Sequence, residues 1–427
     1  MNVVLIAFGF PPSRASGVYR AVAMAHHLCE RGHRVTVIAG GADYFALATG
    51  TDPSLEGTLP AGLTIIRVPY ADLRDPVINR WTKRRAVKPR QWRGEAEAER
   101  DAIFPERYGA WRDRIVATVV RQHRETPFDF AIGTGNPYVS YTALGALDVM
   151  SGVPYLMDDR DSCLFSVYTG EPHETFDARR TWWRPLADRA RQLWFVNPPI
   201  ADLYRDAFPE VADRIRVVEN GFDPRYFDPT SLPDRPVPDE PVFGYIGTLN
   251  TGFPLAGLLD GWRRARGTTI PAGSRLVITG GLGYREQSPA QRELLRTAEA
   301  DGVELRGPVP KADIADAYRE CDVLVFAREG GGLVTSGKIY EYLASGLPIA
   351  AVVPAEHDSR RVLADAPRAH VRDDDAGDAW VEVLGAALAD ARDGSAREAA
   401  LSFGAALSRD RLLGDALDEL LTPSVSD

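Results

Sequence analysis

Residues 328–354 read REGGGLVTSGKIYEYLASGLPIAAVVP. Glu329 closes an apolar strand, and Gly330, Gly331 and Gly332 follow it. Ser336-Gly337-Lys338 opens a helix that carries Glu341 and stops at Ser345-Gly346. Pro348 then starts another apolar strand. Strand, glycine turn, helix and strand in 27 residues are the unit of a parallel α/β sheet. The start of such a helix exposes unpaired N–H groups and a partial positive charge, so it suits a phosphate. Lys338 adds a full charge there, and Glu341, one turn on, can accept hydrogen bonds from hydroxyl groups.

The same alternation runs through most of the chain. Val3–Phe10, Arg34–Gly40, Leu63–Tyr70, Phe128–Gly133, Pro154–Asp158, Leu193–Asn197 and Ile215–Glu219 read as strands. Several are continuous apolar runs, as strands buried on both faces should be. Between the first two, Val18, Ala21, Val22, Ala25 and Leu28 form one helix face, and Gly32 ends it. Six prolines between 224 and 241 mark a linker. Beyond it, Val242–Gly247, Leu276–Thr279, Val303–Leu305, Val323–Ala327 and Ile349–Val353 are strands. The helices between them are Leu255–Arg266, Pro289–Ala300, Ala312–Arg319 and Ile339–Ala344. The expected fold class is α/β: two doubly wound Rossmann-like domains facing a cleft, with ligands at the carboxyl ends of the strands. The expected domains are 1–230, with an insertion at about 71–112, and 231–400. A helical tail over 396–421 is expected to pack back on the first domain, with 401–427 forming the returning segment.

Composition narrows the classes. The chain has 427 residues, 44% of them hydrophobic, and a net charge of -10, which disfavours nucleic acid as a partner. Three separated cysteines form no CxxC pair, and seven histidines contain no HExxH, so neither a disulfide scaffold nor a zinc site is expected. No membrane-length apolar run and no signal peptide are read, so the expected localisation is cytoplasmic. Lysine occurs only at 83, 88, 311 and 338 in a chain otherwise rich in arginine, so Lys338 at a helix start stands out. Basic residues 80–93 cluster with Trp81 and Trp92. They read as a solvated excursion, an acceptor-binding insertion or a membrane-surface contact.

Candidate site residues gather at strand ends. Gly9–Gly17 follows the first strand without a dinucleotide or ATP fingerprint, and its Ser16-Gly17 allows a close backbone approach. Thr134-Gly135-Asn136-Pro137 ends another strand. Asp158-Asp159-Arg160-Asp161 is either an arginine–carboxylate lock or a ligand contact, because such charges are costly unless solvated or paired. Asn220-Gly221 is first a turn signal and, beside the linker, also a hinge or cleft contact. Gly247-Thr248, Gly280-Gly281 and Arg306–Pro310 end the first three strands of the second domain.

These motifs resemble the GT-B glycosyltransferases, most nearly the large retaining group (family four) that includes bacterial lipopolysaccharide and mannosyl transferases. The residues carrying the resemblance are Arg31–Val37, Asp158–Asp161, Asn220–Asp223 and, most specifically, Ser336–Pro348. The resemblance implies a nucleoside-diphosphate sugar as donor and no metal or other cofactor. In it Glu341 holds ribose hydroxyls, and Lys338 and the amides near Ser336 and Gly337 hold the diphosphate. Glu329 with Gly330–Gly332 faces the sugar, and Gly247, Thr248, Gly280 and Gly281 complete the donor side. Asp158, Arg160 and Asp161 lie on the acceptor side with Ser16, Gly17, Asn136 and Asn220. The acceptor is a small molecule, a glycan or a lipid-linked molecule. Three features depart from the family, one being that a catalytic-region histidine found in some relatives is missing near residue 158. Glu329 and Glu341 are twelve positions apart rather than eight, an excess expected to loop out around Leu333–Thr335. No basic pair follows Gly247, so Arg14 or Arg20 is a candidate substitute. Other readings on the same fold are a sugar-nucleotide epimerase and an enzyme coupling cyclitols without a glycosidic bond. A third is an inactive nucleotide-sugar binder.

Overall fold

The computed structural model describes residues 1–69, 86–92, 109–249, 252–281, 289–329, 332–374 and 376–422. Most of the 71–112 insertion lies outside them, as do Gly330 and Gly331. The chain divides into two compact units, one of residues 1–219 with 416–427 and the other of residues 220–415.

The first unit is a seven-stranded parallel sheet of order β3-β2-β1-β4-β5-β6-β7. Its strands are β1 Asn2–Ile6, β2 Arg34–Gly40, β3 Thr64–Val68, β4 Phe130–Gly135, β5 Tyr155–Asp159, β6 Gln192–Phe195 and β7 Ile215–Val217. β1, β4 and β5 are buried along their whole length, which explains the apolar runs Val3–Ile6, Phe130–Ile132 and Tyr155–Met157 within them. The helix Val18–Glu30 ends as expected at Gly32. Gly32 donates to Cys29 and His33 to Leu28, a Schellman closure that satisfies two late carbonyls.

The second unit is a six-stranded parallel sheet of order β10-β9-β8-β11-β12-β13. It comprises β8 Val242–Ile246, β9 Arg275–Thr279, β10 Val303–Gly307, β11 Val323–Ala327, β12 Ile349–Val352 and β13 Ala369–Arg372. Its core includes Phe243 against Trp262, edge to face at 5.3 Å, with Trp380 fully buried nearby. Each such side chain contributes about 1.5–3 kcal/mol by burial.

The pattern reading passed over three elements here, one of them the helix Asp358–Ala364. β13 has the sequence AHVR, too polar and short to register as a strand, and it forms one edge of the sheet. The helix Gly377–Asp393 buries only one face, with Trp380, Val383, Leu384, Ala387 and Leu388 inward.

The expected continuous helix over 396–421 is two helices, Arg397–Ala405 and Arg409–Leu421. Between them the chain pairs with the Asn-Gly turn instead. Phe222 donates to Leu407, and Arg409 donates to Phe222 through its backbone and to Asn220 through its side chain. Asp223, buried beneath, holds Arg225 at 3.0 Å. Asn220 is therefore committed through its carbonyl to this clasp. The last turns of the tail belong to the first unit, where Asp418 pairs with His27 at 2.8 Å and with Arg31, and Glu419 with Arg216.

The first unit is pinned by a buried ion pair. Arg20, 1% exposed, grips Asp158, 0% exposed, through Nε and Nη2 at 2.8–3.1 Å. Its Nη1 donates to the Glu219 carbonyl, and Thr134 donates to the other face of Asp158 at 2.9 Å. Asp158 is thus locked by Arg20 of the first helix rather than by the arginine of its own motif, and both side chains are buried. Removing one member strands the other charge in the core, so Arg20→Ala should lower the unfolding free energy by about 3–5 kcal/mol in a urea titration.

Candidate functional site

In the second unit the loops after β8, β9, β10 and β11 leave the sheet at one edge, on either side of the β8/β11 switch point. The helix Gly337–Ala344 starts there and is tied to β8 by Tyr342 and Lys338. The Tyr342 hydroxyl accepts the Ile246 amide at 2.7 Å and donates to the Ile246 carbonyl at 3.2 Å. That anchor sets the helix start beside the end of β8. Lys338 lies over the Tyr245 ring, Nζ 4.4 Å from its centroid, and donates to the Tyr245 hydroxyl and the Thr248 carbonyl, the latter at 3.2 Å.

Gly247 and Gly280 make this approach possible. A Cβ on Gly280 (φ +155°) would stand 2.0 Å from the Gly247 carbonyl oxygen. One on Gly247 (φ +136°) would stand 2.7 Å from Lys338 Cε. Gly247 donates to Thr279 and Leu249 to Gly281, so the two strand ends are stitched together under the lysine. Burial, with the Arg328 charge, pushes the Lys338 ammonium down to about 7, against a smaller opposing pull from Glu341.

Glu341 faces the same edge. Lys311 Nζ pairs with its Oε1, and the Tyr318 hydroxyl donates to Oε2 at 3.2 Å. Burial acts to raise this carboxyl, but Lys311, with Arg409 and Tyr318, outweighs it and holds the group below the usual glutamate range.

Glu329 is exposed, its amide donating to the Gly252 carbonyl at 3.0 Å. The segment from Gly332 to Ser336 has no helix or strand and is tied to the start of the helix Asp358–Ala364. The Gly332 carbonyl accepts from Asp358, Thr335 donates to the Asp358 carboxylate, and Ser336 donates to Ser359 Oγ at 3.4 Å. Gly337 has open space beside it, and among the described residues the amides of Gly337 and Lys338 donate to no protein acceptor.

Sequence reasoning gave no role to Arg328, whose charge acts on Lys338, or to Lys311, which pairs with Glu341. The scarcity of lysine was the available signal for Lys311, one of four in the chain.

In the first unit, a cavity of about 190 Å³ opens at the ends of β1, β4 and β5. Ser16, Gly17, Asn136, Arg160 and Asp161 line it with Phe8 and Tyr44. Arg160 donates to Thr134 Oγ1 at 3.3 Å and the Asn136 carbonyl at 3.0 Å. Its guanidinium occupies the space that a Cβ on Gly17 would need, at 2.3 Å. Asp161 is exposed. Arg14, the other suggested diphosphate partner, donates to the Thr49 carbonyl at 3.1 Å.

Asp159 differs from its neighbours. It is 2% exposed, its Oδ2 accepts from the Cys163 amide at 3.1 Å and the Tyr204 hydroxyl at 3.3 Å, and its Oδ1 has no partner. Burial pushes its carboxyl up to about 7, and the charges of Asp161 and Asp158 act in the same direction.

Among the described residues no group of three or more His, Cys, Asp or Glu is arranged to hold a metal ion, and no helix is long and apolar enough to cross a membrane.

Residues 240–390 match the model of the family Glycosyl transferases group 1. That match lies within the second unit, and the two parallel sheets share the GT-B fold of the solved structures that follow. No curated protein matches the sequence. Solved structures share the fold along the whole chain at low identity. Sucrose-phosphate synthase from Thermosynechococcus elongatus is 14% identical with a TM-score of 0.61, covering 98% of this chain and 99% of that one. A glycosyltransferase from Rickettsia africae is 12% identical with a TM-score of 0.64, covering 99% and 100%. Anabaena HepE in complex with UDP is 12% identical with a TM-score of 0.63, covering 98% and 99%.

Asp159 makes stability depend on pH. Its carboxyl has a usual value of 3.8, so between about 4 and about 7 the folded chain holds a proton that the unfolded chain has released. The contribution to stability therefore falls as pH rises across that window. Asp159→Asn should flatten the decline, read as the difference in Tm between variant and wild type from pH 4.5 to 7.5.

Proposed function

We propose that this chain moves a glycosyl group from a nucleoside-diphosphate sugar to an acceptor hydroxyl, with retention at the anomeric carbon. The observation carrying the reading is Lys338, held across the end of β8 at a helix start whose first amides meet no acceptor among the described residues. The family match over 240–390 agrees with it, as does the binding of UDP by HepE on the same fold.

As the anomeric carbon–oxygen bond breaks, negative charge collects on the departing diphosphate. Donors already aimed at that charge stabilise it without reorganising, each good one contributing about 3 kcal/mol. In this reading Lys338 and the Gly337 and Lys338 amides are those donors, and their charge makes a metal unnecessary. Glu341 takes the ribose hydroxyls, and Glu329 with the glycine segment takes the sugar. Arg160 and Asp161, at the cavity of the first unit, are the acceptor-side candidates; Asp158 supports them from below through Thr134, which also meets Arg160.

A thermal-shift screen of UDP, GDP, ADP, CDP and TDP tests the donor site. A ligand at a hundred times its Kd adds about 2.7 kcal/mol of stability, so at least one should raise Tm clearly, and a flat response to all five would end the reading. With the responding nucleotide and its sugar, Lys338→Ala should reduce kcat by roughly 10²–10³. A nucleotide sugar converted in the absence of any acceptor would instead mark an epimerase. The anomeric coupling constant of the product reads out retention.

Lys338 also sets a pH dependence. With its ammonium near 7 in the free protein, an arriving diphosphate raises that value and draws in a proton. Nucleotide affinity should therefore fall as pH rises above about 7. Calorimetry in buffers of different ionisation enthalpy should show proton uptake, and Lys338→Ala should abolish both effects.

A further inference from the structure

We propose that Lys311 is a positioning residue that holds Glu341 for a vicinal diol, so that the site selects ribonucleoside over 2′-deoxyribonucleoside diphosphates. The inference rests on the donor-site reading above and adds a residue and a selectivity to it.

Lys311 and Glu341 come from different elements. Lys311 follows β10 at the start of a short helical turn, and Glu341 lies in the middle turn of Gly337–Ala344. Their side chains are only 13% and 16% exposed, so water does little to solvate either charge. A carboxylate offers about four lone-pair positions, two on each oxygen. Lys311 takes one on Oε1, and Tyr318, 1% exposed, takes one on Oε2. One acceptor position is left on each oxygen. Two acceptors side by side on one rigid carboxylate match two adjacent hydroxyls, as on the 2′ and 3′ carbons of ribose.

Each protein partner has a distinct part. Burial and the Glu341 charge push the Tyr318 hydroxyl well above its usual value, so it stays a donor to the carboxylate. Lys311 supplies the charge that keeps Glu341 ionised in a poorly hydrated place, and an ionised carboxylate can only accept. Without Lys311 the carboxyl can take up a proton or rotate, and its match to two donors is lost. A 2′-deoxyribose would leave one desolvated acceptor position unfilled, which is costlier than losing an exposed hydrogen bond.

The test measures Kd for UDP, GDP, ADP and CDP and for their 2′-deoxy counterparts, in wild type, Lys311→Met, Lys311→Arg and Tyr318→Phe. Wild type should bind the ribonucleotide of the preferred pair roughly tenfold or more tightly than its deoxy partner. Lys311→Met should bring that ratio close to one, weakening the ribonucleotide and barely changing the deoxynucleotide. Lys311→Arg should restore most of the ratio, and Tyr318→Phe should lower it partway. A lysine that merely stabilised the fold would weaken both members equally, and that outcome overturns the proposal, as does an unchanged ratio. If Lys311→Met fails to fold by circular dichroism, the ratio in Tyr318→Phe decides in the same way. Nucleotide binding that is lost in Lys338→Ala while Lys311→Met keeps its ratio removes this inference and leaves the donor site standing. A wild type that binds none of the eight removes this inference, and one that also fails to bind TDP removes the donor site with it.

Discussion

A sheet whose strands all run one way must deliver every βα loop to the same edge. That constraint shapes both units of this chain, with seven parallel strands in one and six in the other. Buried parallel strands need apolar side chains on both faces, so polar chemistry is expelled to the strand ends. In the second unit four such ends bring Gly247, Gly280, Lys311 and Arg328 to one edge. In the first, three ends bring Gly17, Asn136 and Arg160 to one cavity. Residues far apart in the chain become neighbours without any loop having to travel.

Charge at these edges is arranged in advance of any ligand. Glu341 is paired with Lys311 and Lys338 is held on Tyr245, so each charged group meets a partner while little exposed to water. Burial and the Arg328 charge leave Lys338 near its titration point. A diphosphate would supply a counter-charge. Glu341 has that compensation already, from Lys311. One cation is left partly unsatisfied and one anion is fixed, a division of roles that suits a ligand with a charged end and a hydroxylated middle.

Much of this was legible in the residue order. Continuous apolar runs marked most strands, and Gly32 marked a helix end through the Schellman bonds it later proved to make. The Ser336–Pro348 segment announced a helix start with a lysine beside it. Where reading failed, the reason was physical. β13 is a short edge strand with a histidine and an arginine in four residues, so it lacks the buried run that pattern reading detects. The tail was expected as one helix because its composition suits helix throughout. Only pairing with Phe222, almost two hundred positions earlier, shows why the backbone leaves the helix at Ser408.

The acidic motif after β5 shows the division most clearly. By itself the sequence determined that Asp158, Asp159, Arg160 and Asp161 stand at a strand end, because the apolar run before them stops there. It left open which charges are locked and which are offered. The tertiary structure decided that Asp158 belongs to Arg20, 138 positions away, and that Asp159 is buried with one oxygen unpartnered. It also decided that Arg160 and Asp161 line a cavity. Likewise Glu341 was recognisable from its helix, whereas its tie to Lys311 was not. Helix and strand periodicity are local properties of the chain. The partner of a buried charge is chosen by whichever segment the fold packs against it.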